Sequence, residues 1–313
     1  MLLRVQSVYN ETSTIKTFEL VDPEGLELPS FTAGSHVEVT LPDGMVRQYS
    51  LCNPPSDRQR YVLGVLLEPD GRGGSRQFHQ RVGVGDLLQV SMPRNHFPLA
   101  ESGKRHLLIA GGIGVTPLLA MAARLKSIDA DFALHYCTRD PSNTAFRSVL
   151  ATEALASHVH FHHDGGIPAQ GLDVVRLLAT VLADTHVYCC GPAGLMAAVK
   201  AACAHWPPGQ IHFEHFNAPA VAAPADQGGF EVEIASTGAV FPVPPDRSIL
   251  SVLLSEGVQV ESSCEGGVCG TCATRYVSGE PDHRDFVLSD LEQREQIMIC
   301  VSRAKSARIV LDL

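Results

Sequence analysis

Short runs of alternating polar and apolar residues fill the first hundred positions. His36–Thr40 and Tyr61–Val65 alternate with a period of two, and turn signals such as Pro42–Gly44 separate the runs. A period of two places successive side chains on opposite faces of a strand. Closely spaced short strands of this kind predict an antiparallel β-barrel or a sandwich over residues 1–102.

From about residue 104 the pattern changes, because short apolar runs now alternate with stretches of helical period. The runs that predict strands are Arg105–Ala110, Phe132–Cys137, Val159–Phe161 and His186–Cys189. The stretches that predict helices are Pro117–Lys126, Thr144–Leu155, Leu172–Leu182 and Pro192–Ala204. Alternation of strand and helix predicts an α/β domain over residues 103–217, with a parallel sheet and helices on both faces.

A third segment follows a change in composition. Residues 218–229 are small and Pro-bearing, which indicates a semi-rigid linker. Regular alternation resumes at Phe230–Ile234. Residues 230–313 hold 13 acidic and 7 basic residues, so this segment carries most of the chain's acidic excess.

Length and charge narrow the class of protein. A chain of 313 residues is long enough for two or three domains. It has no apolar run of about 18–20 residues, and its first residues lack the layout of a signal peptide, so we expect a cytoplasmic protein without a membrane span. The net charge of −10 argues against nucleic acid and favours a basic protein partner.

Four of the nine cysteines form one C-terminal pattern. Cys264, Cys269, Cys272 and Cys300 have the spacing C-x4-C-x2-C-x27-C, which is the plant-type [2Fe–2S] spacing. Glycines in the ligand loop allow backbone N–H groups to approach the sulfides. Zinc prefers two C-x2-C units and only one is present, while the expected compartment disfavours disulfides. We expect Cys52, Cys137, Cys189 and Cys203 to be buried as small apolar residues.

Two glycine-rich turns each follow a strand and open a helix. Gly111–Pro117 is the first and Cys190–Pro192 is the second. Glycines permit close approach to a pyrophosphate, and a helix N-terminus offers unpaired N–H groups. Either turn alone is weak support for a nucleotide site, and neither is the Rossmann G-x-G-x-x-G pattern.

Two further elements could bind an anion. The first is the strand-like run Arg47-Gln48-Tyr49-Ser50. The guanidinium of Arg47 has several N–H donors in one plane, which suits a phosphate. Gly73, Gly74 and Ser75 precede a short predicted helix, Arg76–Gln80. Successive N–H groups at a glycine-rich helix start form a phosphate site.

Taken together, these motifs resemble the phthalate dioxygenase reductase family within the ferredoxin–NADP reductase superfamily, and the resemblance covers the whole chain. It implies a flavin barrel, an NAD domain and a C-terminal plant-type ferredoxin (β-grasp) domain, in that order. It implies FMN rather than FAD, held by Arg47, Gln48, Tyr49, Ser50, Gly73, Gly74 and Ser75. Tyr49 would flank the isoalloxazine, and Ser50 would hydrogen-bond near flavin N5.

The same resemblance assigns the nicotinamide nucleotide. It places Gly112, Gly114, Thr116 and Pro117 on the pyrophosphate side and Cys190, Gly191 and Pro192 beside the reacting ring. Phe216 would lie against the flavin, so Ser50, Cys190 and Phe216 are the expected catalytic residues. Arg139 and Asp140 would lie at the adenosine ribose, where an acidic group favours NADH although Arg139 could accept NADPH.

The implied reaction is hydride transfer from NADH to the flavin, followed by two single-electron transfers to the cluster. The implied acceptor is the Rieske-type terminal oxygenase of a ring-hydroxylating or O-demethylating system, served by a monomeric reductase. An FAD-type reductase serving another acceptor such as a diiron oxygenase, a redox sensor and a generic ferric or dye reductase remain alternatives. The tract His158–Asp164 resembles a metal site, but we interpret it as a solvated strand end.

Overall fold

The computed structural model describes residues 1–69, 71, 73–216, 228–289 and 291–313. The chain divides into two compact units, residues 1–214 and residues 215–313. The first unit contains the first predicted domain and residues 103–214 of the second. Residues 218–227 of the predicted linker lie outside the described residues.

The first hundred residues form a six-stranded antiparallel sheet that curls into a barrel. Its strands are β1 (Leu2–Asn10), β2 (Ile15–Val21), β3 (His36–Thr40), β4 (Val46–Ser50), β5 (Tyr61–Leu66) and β6 (Leu87–Val90). The strand order is β4-β3-β6-β1-β2-β5, and a bridge between Leu51 and Leu63 links the end of β4 to β5. Helix α1 (Gly74–Arg81) inserts Phe78 into the core, where its ring lies 4.5 Å from that of Phe18. The fold is therefore the barrel rather than a sandwich.

Residues 105–214 contain a five-stranded sheet. Every neighbouring pair of its strands is parallel, as predicted. Its strands are β7 (Arg105–Gly111), β8 (Asp131–Thr138), β9 (Val159–His163), β10 (Thr185–Cys190) and β11 (Ile211–Glu214), in the order β11-β10-β7-β8-β9. Its helices are α2 (Val115–Ser127), α3 (Arg147–Leu150), α4 (Val174–Leu177) and α5 (Ala193–Ala202). Leu108 of β7 packs with α2, whereas Ile109 packs with α5, so helices cover both faces.

Two helices are much shorter than the sequence predicted. The stretch 144–155 is helical only over α3, because Phe146 takes a left-handed backbone with φ 58°. The stretch 172–182 is helical only over α4. There the carbonyl of Leu178 accepts a hydrogen bond from the indole of Trp206 at 2.9 Å. In both places a tertiary contact overrides local helix propensity.

The barrel and the parallel sheet share one apolar core. Ile15, Cys52 and Phe97 of the barrel pack in the same cluster as the buried face of α2. Because this cluster is continuous, β5 is held against the N-terminal turn of α2, where Gly64 approaches the side chain of Thr116. That junction positions the candidate site described below.

The second unit is a small mixed sheet with one helix across it, which is the predicted β-grasp arrangement. Its elements are β12 (Phe230–Ile234), β13 (Val240–Val243), α6 (Ile249–Ser255), β14 (Ala273–Ser278), β15 (Pro281–Asp282), β16 (Gln296–Met298), β17 (Arg303–Ala304) and β18 (Arg308–Leu311). The sheet order is β13-β12-β18-β14-β16, with β12 and β18 parallel. Ser248 caps α6 by accepting from the Ser251 N–H. Among the described residues, none of the helices combines the length and apolar character needed for a membrane span.

Candidate functional site

The four patterned cysteines are brought together in the second unit as two pairs. Cys264 is hydrogen-bonded to Cys269, and Cys272 is hydrogen-bonded to Cys300. The second pair follows from sheet register, because Ala273 of β14 lies opposite Met298 of β16. Within the described ranges, no three His, Cys, Asp or Glu side chains converge on a single metal ion. Two pairs of thiols suit two irons with two protein ligands each, which is the donor set of a [2Fe–2S] cluster.

The backbone of the ligand loop explains its glycines. Gly267 and Gly270 have positive φ angles of 70° and 78°, a region that side chains disfavour. A Cβ on Gly267 would also lie 2.5 Å from the Cγ2 of Val301. The N–H of Gly266 donates to the Cys264 sulfur at 3.3 Å, and such bonds stabilise a thiolate ligand.

The turn His283-Arg284-Asp285 braces this loop. The buried carboxylate of Asp285 accepts from the N–H of Leu288 at 2.9 Å. The next residue, Phe286, donates its N–H to the carbonyl of Gly267 at 2.9 Å. These bonds indicate a structural role for this turn.

Arg47 of β4 lies beside the start of α1. The Arg47 side chain lies so close to the start of α1 that a Cβ on Gly74 would stand 2.4 Å from its Nε. Gly73 caps the helix with φ 90°, and the first turn of α1 contains no acidic residue. Within the described chain, the Arg47 guanidinium forms no ion pair; it donates to the Val46 carbonyl and the Met45 sulfur. A helix start and an unpaired guanidinium fit a phosphate monoester.

The other residues of this strand have separate surroundings. Gln48 donates to Glu38 at 3.1 Å. The Tyr49 ring packs edge-on against Phe78 at 5.0 Å, and burial raises the pKa of its hydroxyl above the ordinary range. Ser50 is buried at the end of β4, opposite His36 of β3.

Sequence reasoning missed His36. The His36 side chain is buried, and its Nε2 has no hydrogen-bond partner among the described residues. Burial, together with the neighbouring His96, lowers the pKa of His36 to about 4. Only the β3–β4 register places it beside Ser50, so no local motif could have found it.

The two predicted nucleotide turns touch each other backbone to backbone. A Cβ on Gly114 would lie 2.2 Å from the Cys190 carbonyl oxygen, and one on Gly191 would lie 2.9 Å from the N of Gly111. Gly112, by contrast, has φ 52° and open space where a Cβ would stand. The turns therefore form a cradle at the N-termini of α2 and α5, which fits a pyrophosphate.

Thr116 and Pro117 are buried within this cradle. The Thr116 hydroxyl donates to the carbonyl of Ile113 at 2.9 Å. The side chains of these two residues therefore shape the turn.

Cys190 is buried at the end of β10, opposite Glu214 of β11. Burial raises the pKa of the Cys190 thiol well above its ordinary value, and the nearby Glu214 raises it further. Although Glu214 keeps some exposed surface as a residue, its Oε2 is inaccessible and has no hydrogen-bond partner within the described ranges. Burial raises the pKa of Glu214 to about 8, so it is largely a neutral acid at pH 7.

Sequence reasoning also missed Glu214, although it lies two residues before Phe216. Phe216 itself falls in the second unit and is 40% exposed. Its predicted position against a flavin stays a prediction.

The turn after β8 contains the two residues predicted at the adenosine ribose. Arg139 is exposed. The Asp140 carboxylate accepts hydrogen bonds from the backbones and side chains of Ser142 and Asn143, which lower its pKa. The structure thus shows Asp140 as the cap of a turn.

In the histidine tract, His162 bonds to His135 at 3.1 Å and His158 bonds to the carbonyl of Phe132. Both of these bonds are made to β8, and the interpretation of the tract as a solvated strand end stays a prediction.

Comparisons with known proteins agree with this geometry. The family model for the "2Fe-2S iron-sulfur cluster binding domain" matches residues 232–305. Phthalate dioxygenase reductase of Burkholderia cepacia is 46% identical over 99% of this chain and 97% of its own. The chain belongs to the phthalate dioxygenase reductase family. The reductase subunit of a tert-butanol monooxygenase / tert-amyl alcohol desaturase from Aquincola tertiaricarbonis is also 46% identical, over 99% of this chain and 95% of its own.

A solved structure of phthalate dioxygenase reductase, described as modular for electron transfer from pyridine nucleotides to [2Fe-2S], matches with a TM-score of 0.76. It is 46% identical and covers 100% of this chain and 98% of its own. As a member of the phthalate dioxygenase reductase family, the protein is an oxidoreductase with a flavin-binding barrel, an NAD-binding parallel sheet and a [2Fe–2S] ferredoxin domain.

Proposed function

We propose that this phthalate dioxygenase reductase homologue transfers electrons from NADH through FMN and a [2Fe–2S] cluster to a Rieske-type terminal oxygenase acting on an aromatic compound. One observation carries the proposal. A single chain contains a helix start beside Arg47 that fits a phosphate, a double-turn cradle at α2 and α5, and two pairs of cysteine thiols. Each corresponds to one carrier in a relay from a two-electron donor to a one-electron acceptor.

The phosphate site supports FMN over FAD. Arg47 and the N-terminus of α1 together offer a cation and a set of N–H donors at one point. A terminal phosphate monoester carries close to two negative charges at neutral pH and suits such a site better than a bridging diester. Mass spectrometry of the extracted flavin checks this assignment, because an FAD mass would favour the alternative FAD-type reductase.

When bound, the flavin accepts a hydride and passes electrons singly to the cluster. The chain's own residues bind and orient the reactants. The cradle N–H groups around Gly112 would hold the pyrophosphate, and the close packing of Gly114 on Cys190 would form the floor of the nicotinamide site. Glu214, protonated near pH 7, can donate a hydrogen bond through its carboxyl group, whose Oε2 is inaccessible to water.

The preference for NADH rests on the turn after β8. Asp140 is held ionised by its four hydrogen bonds, so its charge stays at the end of the strand where a 2′-phosphate would lie. Arg139 is exposed beside it and is the only residue of the pair that could attract such a phosphate. We expect kcat/KM to be higher with NADH than with NADPH.

The choice of acceptor rests on the relatives and on charge. One relative is named for phthalate dioxygenase and another for a tert-butanol monooxygenase, so oxygenase partners recur while their substrates differ. The acidic last segment suits a partner with a basic docking surface.

An anaerobic NADH titration followed by visible absorbance and EPR tests the proposal. We expect three electrons per chain, two at the flavin and one at the iron, with a reduced [2Fe–2S] signal growing as the flavin bleaches. Bleaching with two electrons and no iron signal would contradict the relay. Reduction of a purified Rieske oxygenase, compared with reduction of a diiron oxygenase, then tests the acceptor.

A further inference from the structure

A carboxylate of the barrel reaches across to the backbone of the nucleotide-binding layer. Glu11 lies in the turn between β1 and β2, where its N–H donates to the carbonyl of Ile15 at 2.9 Å. Its Oε2 accepts from the N–H of Phe146 at 2.7 Å, and its Oε1 accepts from the hydroxyl of Thr17 at 3.1 Å. Both oxygens are therefore engaged, one within the barrel and one in the neighbouring layer.

The residue that Glu11 holds has an unusual backbone. Phe146 is one of four non-glycine residues with positive φ among the described residues, at 58°, and it starts α3. A phenylalanine in this region persists only where the surroundings over-determine it. The bond from Glu11 to its N–H and the burial of its ring supply that constraint.

The ring of Phe146 and the side chain of Thr116 both pack against one residue of the barrel, Gly64 of β5. A Cβ on Gly64 would lie 2.7 Å from Thr116 Cγ2 and 2.9 Å from Phe146 Cζ. Only a glycine permits this approach, so the two layers meet here without a gap.

This contact connects the two halves of the proposed site. On one side, Thr116 belongs to the cradle turn, in which Gly114 packs on Cys190. On the other side, Gly64 follows Leu63, whose partner across the bridge, Leu51, is next to Ser50. We call the contact of Glu11, Phe146, Gly64 and Thr116 the clamp. A shift at the clamp would change the separation between the Cys190 side and the Ser50 side.

We propose that Glu11 is a positioning residue, which through Phe146, Gly64 and Thr116 sets how closely the nicotinamide-side turn approaches the flavin-side end of β4. The inference rests on the proposed function for its kinetic part. Its structural part, the clamp itself, concerns only residues of this chain.

The test compares Glu11→Ala with Glu11→Gln, whose side-chain carbonyl can still accept from the Phe146 N–H. Glu24→Ala, which removes an exposed carboxylate on the same barrel, is the matched control. Three quantities are measured: amide hydrogen exchange of Phe146 in flavin-free protein, flavin content, and the rate of flavin reduction at saturating NADH in stopped flow. Dissociation constants for NADH are obtained from the same traces.

In Glu11→Ala we expect faster exchange at Phe146 and a fall of about tenfold to a hundredfold in the reduction rate, because misplacement of about 1 Å has that effect. Flavin content and the NADH dissociation constant should stay within about twofold. Glu11→Gln should recover most of the rate, and Glu24→Ala should match wild type.

A wild-type reduction rate in Glu11→Ala, with Phe146 exchanging freely, would overturn the proposal, and so would an equal loss in Glu24→Ala. If Glu11→Ala loses its flavin, Gly64→Ala decides the matter. It places a methyl group in the same contact while leaving Glu11 intact, and an unchanged rate there would also overturn the inference. If NADH fails to reduce wild-type flavin, the proposed function is wrong, whereas exchange at Phe146 still reports on the clamp.

Discussion

Replacing Gly114 by alanine is the most direct perturbation of the cradle. The new Cβ would lie 2.2 Å from the carbonyl oxygen of Cys190, 2.4 Å from its carbonyl carbon and 2.7 Å from the N of Gly191. All three are backbone atoms, so no side chain can rotate away. The φ angle of Gly114 is −63°, which alanine tolerates, and the effect is therefore steric alone. To restore ordinary contact, one turn must move by about 1 Å, and overpacking of this kind costs about 1–3 kcal/mol.

That cost predicts a measurable change in stability. For a unit of this size, 1 kcal/mol corresponds to about 2–4 °C in Tm, so the expected fall is roughly 2–12 °C in the first unit. The displaced cradle should also weaken NADH binding about tenfold or more, since N–H donors at a helix start act only over hydrogen-bond distances. Thermal unfolding of the protein and titration with NADH measure the two effects.

Gly194 provides a matched control in the adjoining helix α5. A Cβ there meets nothing within 4 Å, and its φ is not positive, so Gly194→Ala should be neutral or stabilise the protein by about 0.5 kcal/mol. If Gly114→Ala behaves like Gly194→Ala in both assays, the close contact between the turns does not hold the cradle, and the reasoning fails.

Three further predictions concern the other parts of the site. Cys272→Ser should abolish cluster-dependent cytochrome reduction while NADH still bleaches the flavin, whereas Cys203→Ser should keep both; unchanged cytochrome activity in the first variant would exclude the cluster from the route. Arg47→Ala should lower flavin retention after gel filtration by about tenfold through loss of a charge-assisted phosphate contact, with the exposed Arg4→Ala as control; full occupancy would remove Arg47 from the phosphate site. Burial raises the pKa of Glu214 from its usual 4.5 to about 8, so in that window the folded state binds more protons than the unfolded state and its stability falls as pH rises. The free energy of unfolding should therefore decrease by up to about 1.4 kcal/mol per pH unit relative to that of Glu214→Gln, and the difference should level off above pH 8. If the free energies of unfolding of the two proteins change with pH in parallel, Glu214 is not buried as described.

Local patterns were sufficient where the relevant residues are close in sequence. Three kinds of motif each span fewer than ten consecutive residues: the ligand loop from Cys264 to Cys272, the glycine turns and the Arg47–Ser50 strand. Their chemistry depends on spacing along one element, so the sequence was enough to predict them. The strand–helix alternation likewise predicted a parallel sheet, because a period of two or of 3.6 is a local property.

Tertiary structure decided whatever depends on residues that are distant in sequence. The pairing of Cys272 with Cys300 follows from the β14–β16 register, and the burial of His36 beside Ser50 follows from β3–β4. The helices predicted over 144–155 and 172–182 shortened because contacts from elsewhere in the first unit outweighed their propensity. The raised pKa of Glu214 has no sequence signal, because desolvation depends on everything packed around a carboxyl group. Sequence alone therefore determined which chemistry the chain carries, and only the packing of its layers decided which groups meet, how far apart they lie and in which protonation state they stand.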